Sequence, residues 1–234
     1  MQTTECIDVA GNLMAVELLK PNSAKQPWPA VVLCHHREGV DEFTLDAAHR
    51  IASHGFAVAV PNFYHRRPAG EDWSASRKAM QDREVVADLG ATVDFLGQQA
   101  FVRADAIGIA GHCMGGRTAY LGAGVVPQFK SAVILYGGHI FKTEGEGMPA
   151  PIAFTKDIRA DVLALYGDQD HIVGVDEIDR LESEMKAHNV RCDFHIYANA
   201  GHAFQDFSRS DMYRKDASEK AWNELLAFLR RTLA

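Results

Sequence analysis

The chain is expected to fold as one α/β domain over residues 1–234, with a mostly parallel central sheet and helices on both faces. Two observations carry this expectation. Short apolar runs rich in Val and Ile alternate with longer amphipathic stretches, as in a sheet buried on both sides. The 234 residues, 47% hydrophobic and 24% charged, suffice for one sizeable core.

The elements follow in order. Leu13 to Leu19 reads as an early strand, and Pro21 to Pro29 as a polar turn. Ala30 to Cys34 is a Val-rich buried strand that breaks at the polar cluster His35-His36-Arg37-Glu38-Gly39. Asp41 to Ser53 reads as a helix, Phe56 to Pro61 as a strand and Asn62 to Trp73 as a loop. Ser74 to Gly97 is rich in helix formers, with Val85, Val86, Leu89 and Val93 forming an apolar stripe. The strand at 106–110 leads directly into another helix. Ala132 to Tyr136 is a buried strand, followed by a long irregular loop at 139–157, and loops of that length are often functional. Val162 to Tyr166 is a strand, Val175 to His188 a helix and Cys192 to Tyr197 the last strand. The loop Ala198 to His202 follows. Arg214 to Leu233 is an amphipathic helix with Ala221, Leu225, Leu226 and Leu229 along one side.

Composition narrows the function. A net charge of −7 and the lack of any basic run argue against nucleic acid or an anionic membrane as partner. Met1 to Gly11 lacks the basic start and apolar core of a signal peptide, and no run approaches bilayer length. A cytoplasmic monomer is the default expectation. The four Cys, at 6, 34, 113 and 192, show no metal-ligand spacing, and the eleven His form no HExxH motif.

The chemistry centres on residues 106–122. There an apolar run ends in Gly111-His112-Cys113-Met114-Gly115-Gly116, a nucleophile elbow with Cys in place of Ser. Such a turn strains its central residue and lifts its side chain to a helix N-terminus, where unpaired N–H groups favour a thiolate. A buried, inert Cys is the competing reading. Parallel sheets place their chemistry at strand C-terminal ends. Asp170 and His202 follow two later strands, in the order nucleophile, acid, His. Asp168 competes with Asp170, and His171 and His195 compete with His202. In this scheme Cys113 attacks a carbonyl, His202 manages protons and Asp170 orients His202. Backbone N–H groups of Met114 and Arg37 are the candidates for holding the oxyanion. Tyr136, His171 and Phe204 are expected to line a substrate pocket.

With these residues in place, the chain resembles the dienelactone hydrolase family of α/β-hydrolases over nearly its whole length. The resemblance rests on the loop at 36–40, Pro61-Asn62-Phe63-Tyr64, the Gly-x-Cys-x-Gly-Gly elbow, Gly167-Asp168-Gln169-Asp170-His171, Gly201-His202-Ala203-Phe204 and Ala221-Trp222. It implies a Cys-His-Asp triad at Cys113, His202 and Asp170, and hydrolysis of a small lactone or activated ester without metal or cofactor. Two departures stand out. Known members pair the resting thiol with a Glu after the early strand, where this chain has His36, with Glu38 two residues on. A carboxylate there raises a thiol pKa, whereas an imidazolium favours thiolate. Known members also hold a substrate carboxylate with Arg. Here Gln205-Asp206 stands where one is expected, and Arg77, Arg83, Arg117 and Arg209 are the alternatives. An Asp beside the pocket would repel an anion. The rival readings are a non-catalytic binding protein on this scaffold, and a thiol redox protein in which Cys34 partners Cys113.

Overall fold

The computed structural model describes residues 1–23, 26–68 and 70–233. Residues 24 and 25 of the expected turn at Pro21 to Pro29, and residue 69 of the expected loop, lie outside the described residues. Among the described residues, eight strands form one sheet in the order β1-β2-β4-β3-β5-β6-β7-β8. In chain order these are β1 (Gln2–Val9), β2 (Asn12–Leu19), β3 (Trp28–Cys34), β4 (Ala57–Pro61), β5 (Val102–His112), β6 (Phe129–Leu135), β7 (Asp161–Gly167) and β8 (Cys192–Tyr197). The pairs β1–β2 and β2–β4 are antiparallel, and all the others are parallel.

Among the described residues, six α-helices connect and cover the strands: α1 (Glu42–Ser53), α2 (Trp73–Ala79), α3 (Asp82–Gly97), α4 (Met114–Val125), α5 (Val175–Ala187) and α6 (Lys215–Leu233). Helices α1 and α6 meet where Arg50 lies 4.6 Å over the Trp222 ring, and α3 packs on α4. The central strands are apolar because both faces are covered. Val31, Val32, Ile109, Val133 and Ile134 are all 0% exposed. No helix among the described residues is long and apolar enough to cross a membrane.

Three details depart from the sequence expectation. The N-terminal segment forms the edge strand β1, in which exposed and partly buried residues alternate. The stretch Ser74 to Gly97 is two helices, broken at Met80 and Gln81, both in extended conformation. The break lets Asp82 turn inward to Arg117 on α4, at 2.5 and 2.9 Å. The loop at 139–157 ends in a 3-10 helix, Pro151–Asp157, held by a 2.5 Å hydrogen bond between Tyr120 and Thr155.

Candidate active site

The turn between β5 and α4 places Cys113 at φ +56°, ψ −116°, a left-handed backbone that costs energy for any residue with a Cβ. Two crossings keep it there. A methyl group on Gly111 would overlap the Gly115 carbonyl, and one on Gly115 would overlap the Cys34 carbonyl at the end of β3. Only glycines let strand and helix pass this closely. The Cys113 N–H is fixed by Leu135 O at 2.9 Å.

His202, after β8, brings Nε2 to 3.0 Å from Cys113 Sγ. Its Nδ1 lies 2.9 Å from Asp170 Oδ2. Asp170, after β7, is held by its other oxygen, which accepts from the N–H groups of Ile172 and Val173 at 2.7 and 3.0 Å. Burial works against charge on His202, but its bonds to Asp170 and Cys113 outweigh that and raise its pKa to about 9. Burial likewise pushes the Cys113 thiol up. The His202 bond and charge, the Met114 N–H and the charge on His36 reverse this, so the thiol sits below its ordinary value.

The loop after β3 contributes a second charged group. His36 presents Nδ1 to Glu38 Oε2 at 3.0 Å and Nε2 to Asp41 Oδ2 at 2.8 Å. Both neighbours are acceptors only, so both ring nitrogens carry protons and the ring is an imidazolium. Burial opposes that charge, and the two carboxylates override it and lift the pKa to about 9. Glu38 also pairs with Arg37 at 2.9 Å and with Arg209, and His36 and the two guanidiniums hold it far below the ordinary carboxylate range. Asp41 caps α1 with its second oxygen, accepting from Thr44 N–H at 2.9 Å. The neighbouring His35 stays neutral. Its Nε2 accepts from Phe63 N–H at 3.1 Å, and burial pulls its pKa down to about 4.

Comparison with known proteins gives the family. The model of the dienelactone hydrolase family matches residues 14–233. The chain belongs to the dienelactone hydrolase family. It is a hydrolase of lactone or ester substrates. A Yersinia pestis protein provisionally named a carboxymethylenebutenolidase is 30% identical over 227 residues, covering 92% of this chain and 83% of that one. A Bradyrhizobium protein provisionally named a 2-oxo-3-(5-oxofuran-2-ylidene)propanoate lactonase is 32% identical over 209 residues, 86% and 83% of the two chains. A crystal structure from Klebsiella pneumoniae, provisionally named a dienelactone hydrolase, superposes with a TM-score of 0.88 at 27% identity and covers 98% of each chain.

Cys113 opens onto a cleft of about 190 Å³. Its wall includes Cys113, His202, His36, Glu38, Tyr136 and His171. Phe204 does not line it. That ring is fully buried, edge-on to Tyr136 and tilted against Tyr197, so it supports the wall from behind. Of the four arginines considered, Arg77, Arg117 and Arg209 reach the cleft. Arg83 is exposed and is not part of the wall. Arg37 lies at the cleft, and its carbonyl accepts from Tyr64 OH at 2.7 Å, which fixes the course of this loop.

Of the rival residues, His171 lines the cleft with its ring centroid 6.1 Å from that of His202, and the others sit elsewhere. His195 on β8 faces Glu224 on α6 at 3.4 Å, and Asp168, just after β7, gives its N–H to Tyr197 O at 3.0 Å. Cys34 is 1% exposed and burial pushes its thiol well up, a poor setting for a resolving thiol. Sequence reasoning missed Asp41 and Asp82. The only signal for Asp41 was its place before a helix, which any capping residue shares. Among the described residues, no group of three or more His, Cys, Asp and Glu side chains is arranged to hold a metal ion.

Proposed function

We propose that the protein hydrolyses a small carboxylic ester or lactone with Cys113 as nucleophile, through a thioester acyl-enzyme. What supports this above all is the unbroken line from Asp170 through His202 to Cys113, 2.9 Å and then 3.0 Å, at the floor of a cleft. The thiolate attacks the carbonyl carbon, and the oxyanion settles against the backbone N–H groups of Met114 and Arg37. The tetrahedral centre collapses, and the His202 imidazolium gives its proton to the departing alkoxide. In a lactone that alcohol stays tethered to the acyl group. His202, now neutral, takes a proton from water as the water attacks the thioester. The thiolate leaves and the acid is released. Asp170 stabilises the imidazolium at both stages.

The test is turnover of a chromogenic ester by wild type and Cys113→Ala. The variant should lose about a thousandfold or more in kcat. Acid-quenched wild type should carry the mass of one acyl group on the peptide that contains Cys113. Undiminished turnover by Cys113→Ala rejects the proposal.

A further inference from the structure

Two histidines follow one another after β3 and face opposite kinds of partner. His36 meets two carboxylates and is charged. His35 meets one backbone donor and one backbone acceptor. Its Nε2 lies 3.1 Å from the Phe63 N–H and has to accept, so the neutral ring carries its proton on Nδ1. That Nδ1–H donates to His36 O, 2.7 Å away. The ring is fully buried, and Phe63 and Tyr64 pack on it with ring centroids 5.1 and 4.9 Å away. Breaking either bond would strand a polar group where water does not reach.

The acceptor His36 O belongs to the same trans peptide as the Arg37 N–H. A peptide is planar, and in the trans form its C=O and N–H point in opposite directions. Whatever fixes the direction of His36 O therefore fixes that of the Arg37 N–H. Two donors hold His36 O: His35 Nδ1–H and, at 3.1 Å, the Gly39 N–H. Gly39 lies in the same turn and would move with it. His35 is different, because its other nitrogen is anchored to Phe63 after β4, a neighbouring strand. It ties the peptide to the frame of the sheet. The next carbonyl along, Arg37 O, accepts from Tyr64 OH at 2.7 Å. Among the described residues the Arg37 N–H itself gives no hydrogen bond, which leaves it for a ligand.

We infer that His35 is a positioning residue: a neutral imidazole, protonated on Nδ1, that aims the Arg37 N–H at the carbonyl oxygen of the bound ester. The inference rests on the Cys113 hydrolase reading and adds the group that orients one arm of its oxyanion site. Such donors help because they are already aimed when charge develops on the oxygen. A peptide free to turn would have to be re-aimed in every cycle, which slows the chemical step and leaves ground-state binding alone.

The experiment compares wild type with His35→Asn and His35→Leu, two side chains of nearly the same shape. Both lose the bond to Phe63, and only Asn keeps a donor where Nδ1 stands. Turnover of p-nitrophenyl butyrate is measured with Cys113→Ala as control. In His35→Leu kcat should fall about tenfold or more with KM within about twofold of wild type. His35→Asn should exceed His35→Leu several-fold in kcat. Alkylation of Cys113 by iodoacetamide, a displacement at saturated carbon that builds no oxyanion, should stay within about twofold of wild type in both variants. An undiminished kcat in His35→Leu, equal kcat in the two variants, or alkylation that falls in step with turnover overturns the inference. The tautomer is read by NMR in 15N-labelled wild type, which depends on no variant's folding. A His35 ring protonated on Nδ1 is expected, and one protonated on Nε2 overturns the inference. Ester turnover that survives in Cys113→Ala rejects the hydrolase reading itself, a separate result.

Discussion

The charge on His36 follows from what its two nitrogens face. Asp41 and Glu38 each require a donor, so the ring stays protonated beside the cleft that holds the sulfur. Glu38, the one carboxylate placed to oppose the thiolate from this loop, is occupied by His36, Arg37 and Arg209. The balance therefore holds the Cys113 thiol below its ordinary pKa. His36→Gln should raise the pH at which Cys113 is half-reactive toward iodoacetamide. Mass spectrometry of the separate peptides keeps the exposed Cys6 out of the reading. At neutral pH kcat should fall several-fold with little change in KM. His202, Arg209 and the Met114 N–H share this site and are untouched by the substitution, so an unmoved midpoint would remove His36 from the account.

At the level of elements, the site depends on how closely α4 crosses β3 and β5. Gly115→Ala drives a methyl into the Cys34 carbonyl, a backbone atom that no rotamer can move aside. Strand or helix must shift, and urea unfolding should show a loss of about 3 kcal/mol or more. A loss under about 1 kcal/mol would mean that the crossing is looser than it stands here. This crossing was legible in the sequence, because Gly-x-Cys-x-Gly-Gly after an apolar run has few other uses. Asp170 and His202 were legible for a related reason, since each follows a recognisable strand. Asp41 was not, because a residue before a helix looks the same whether it caps only or also holds an imidazole. The strand β1 was hidden by its polarity: an edge strand with exposed Gln2, Thr4 and Cys6 buries too little to show a clear apolar run. Phe204 was misplaced because a position in sequence after His202 says nothing about which side of Tyr136 a ring will occupy.

For the whole molecule, the ion pair between His36 and Asp41 ties the loop after β3 to α1, and its strength varies with pH. The pKa of His36 in the folded protein, about 9, lies above the ordinary imidazole value of about 6.5. Its contribution to stability is therefore whole below the unfolded value and drains away as pH climbs through the folded one. The lowered Asp41 and Glu38 act in the opposite sense, adding stability above their unfolded values and losing it as pH falls. These are two views of one coupling and are counted once. The difference in urea midpoint between wild type and His36→Gln should be widest near pH 6 and nearly closed by pH 10. A difference of equal size at both would show that the imidazolium adds nothing to folding. The buried clamp of Arg117 on Asp82 has a different consequence. Arg117 also donates to the carbonyls of His139 and Lys142, and Asp82 accepts from Glu144 N–H, so the strand-to-helix passage beside the cleft is bolted down from beneath. An entrance tied down in this way is expected to keep one outline whether loaded or free, so turnover should follow the reactivity of the ester's leaving group rather than the solvent viscosity that slows a moving lid.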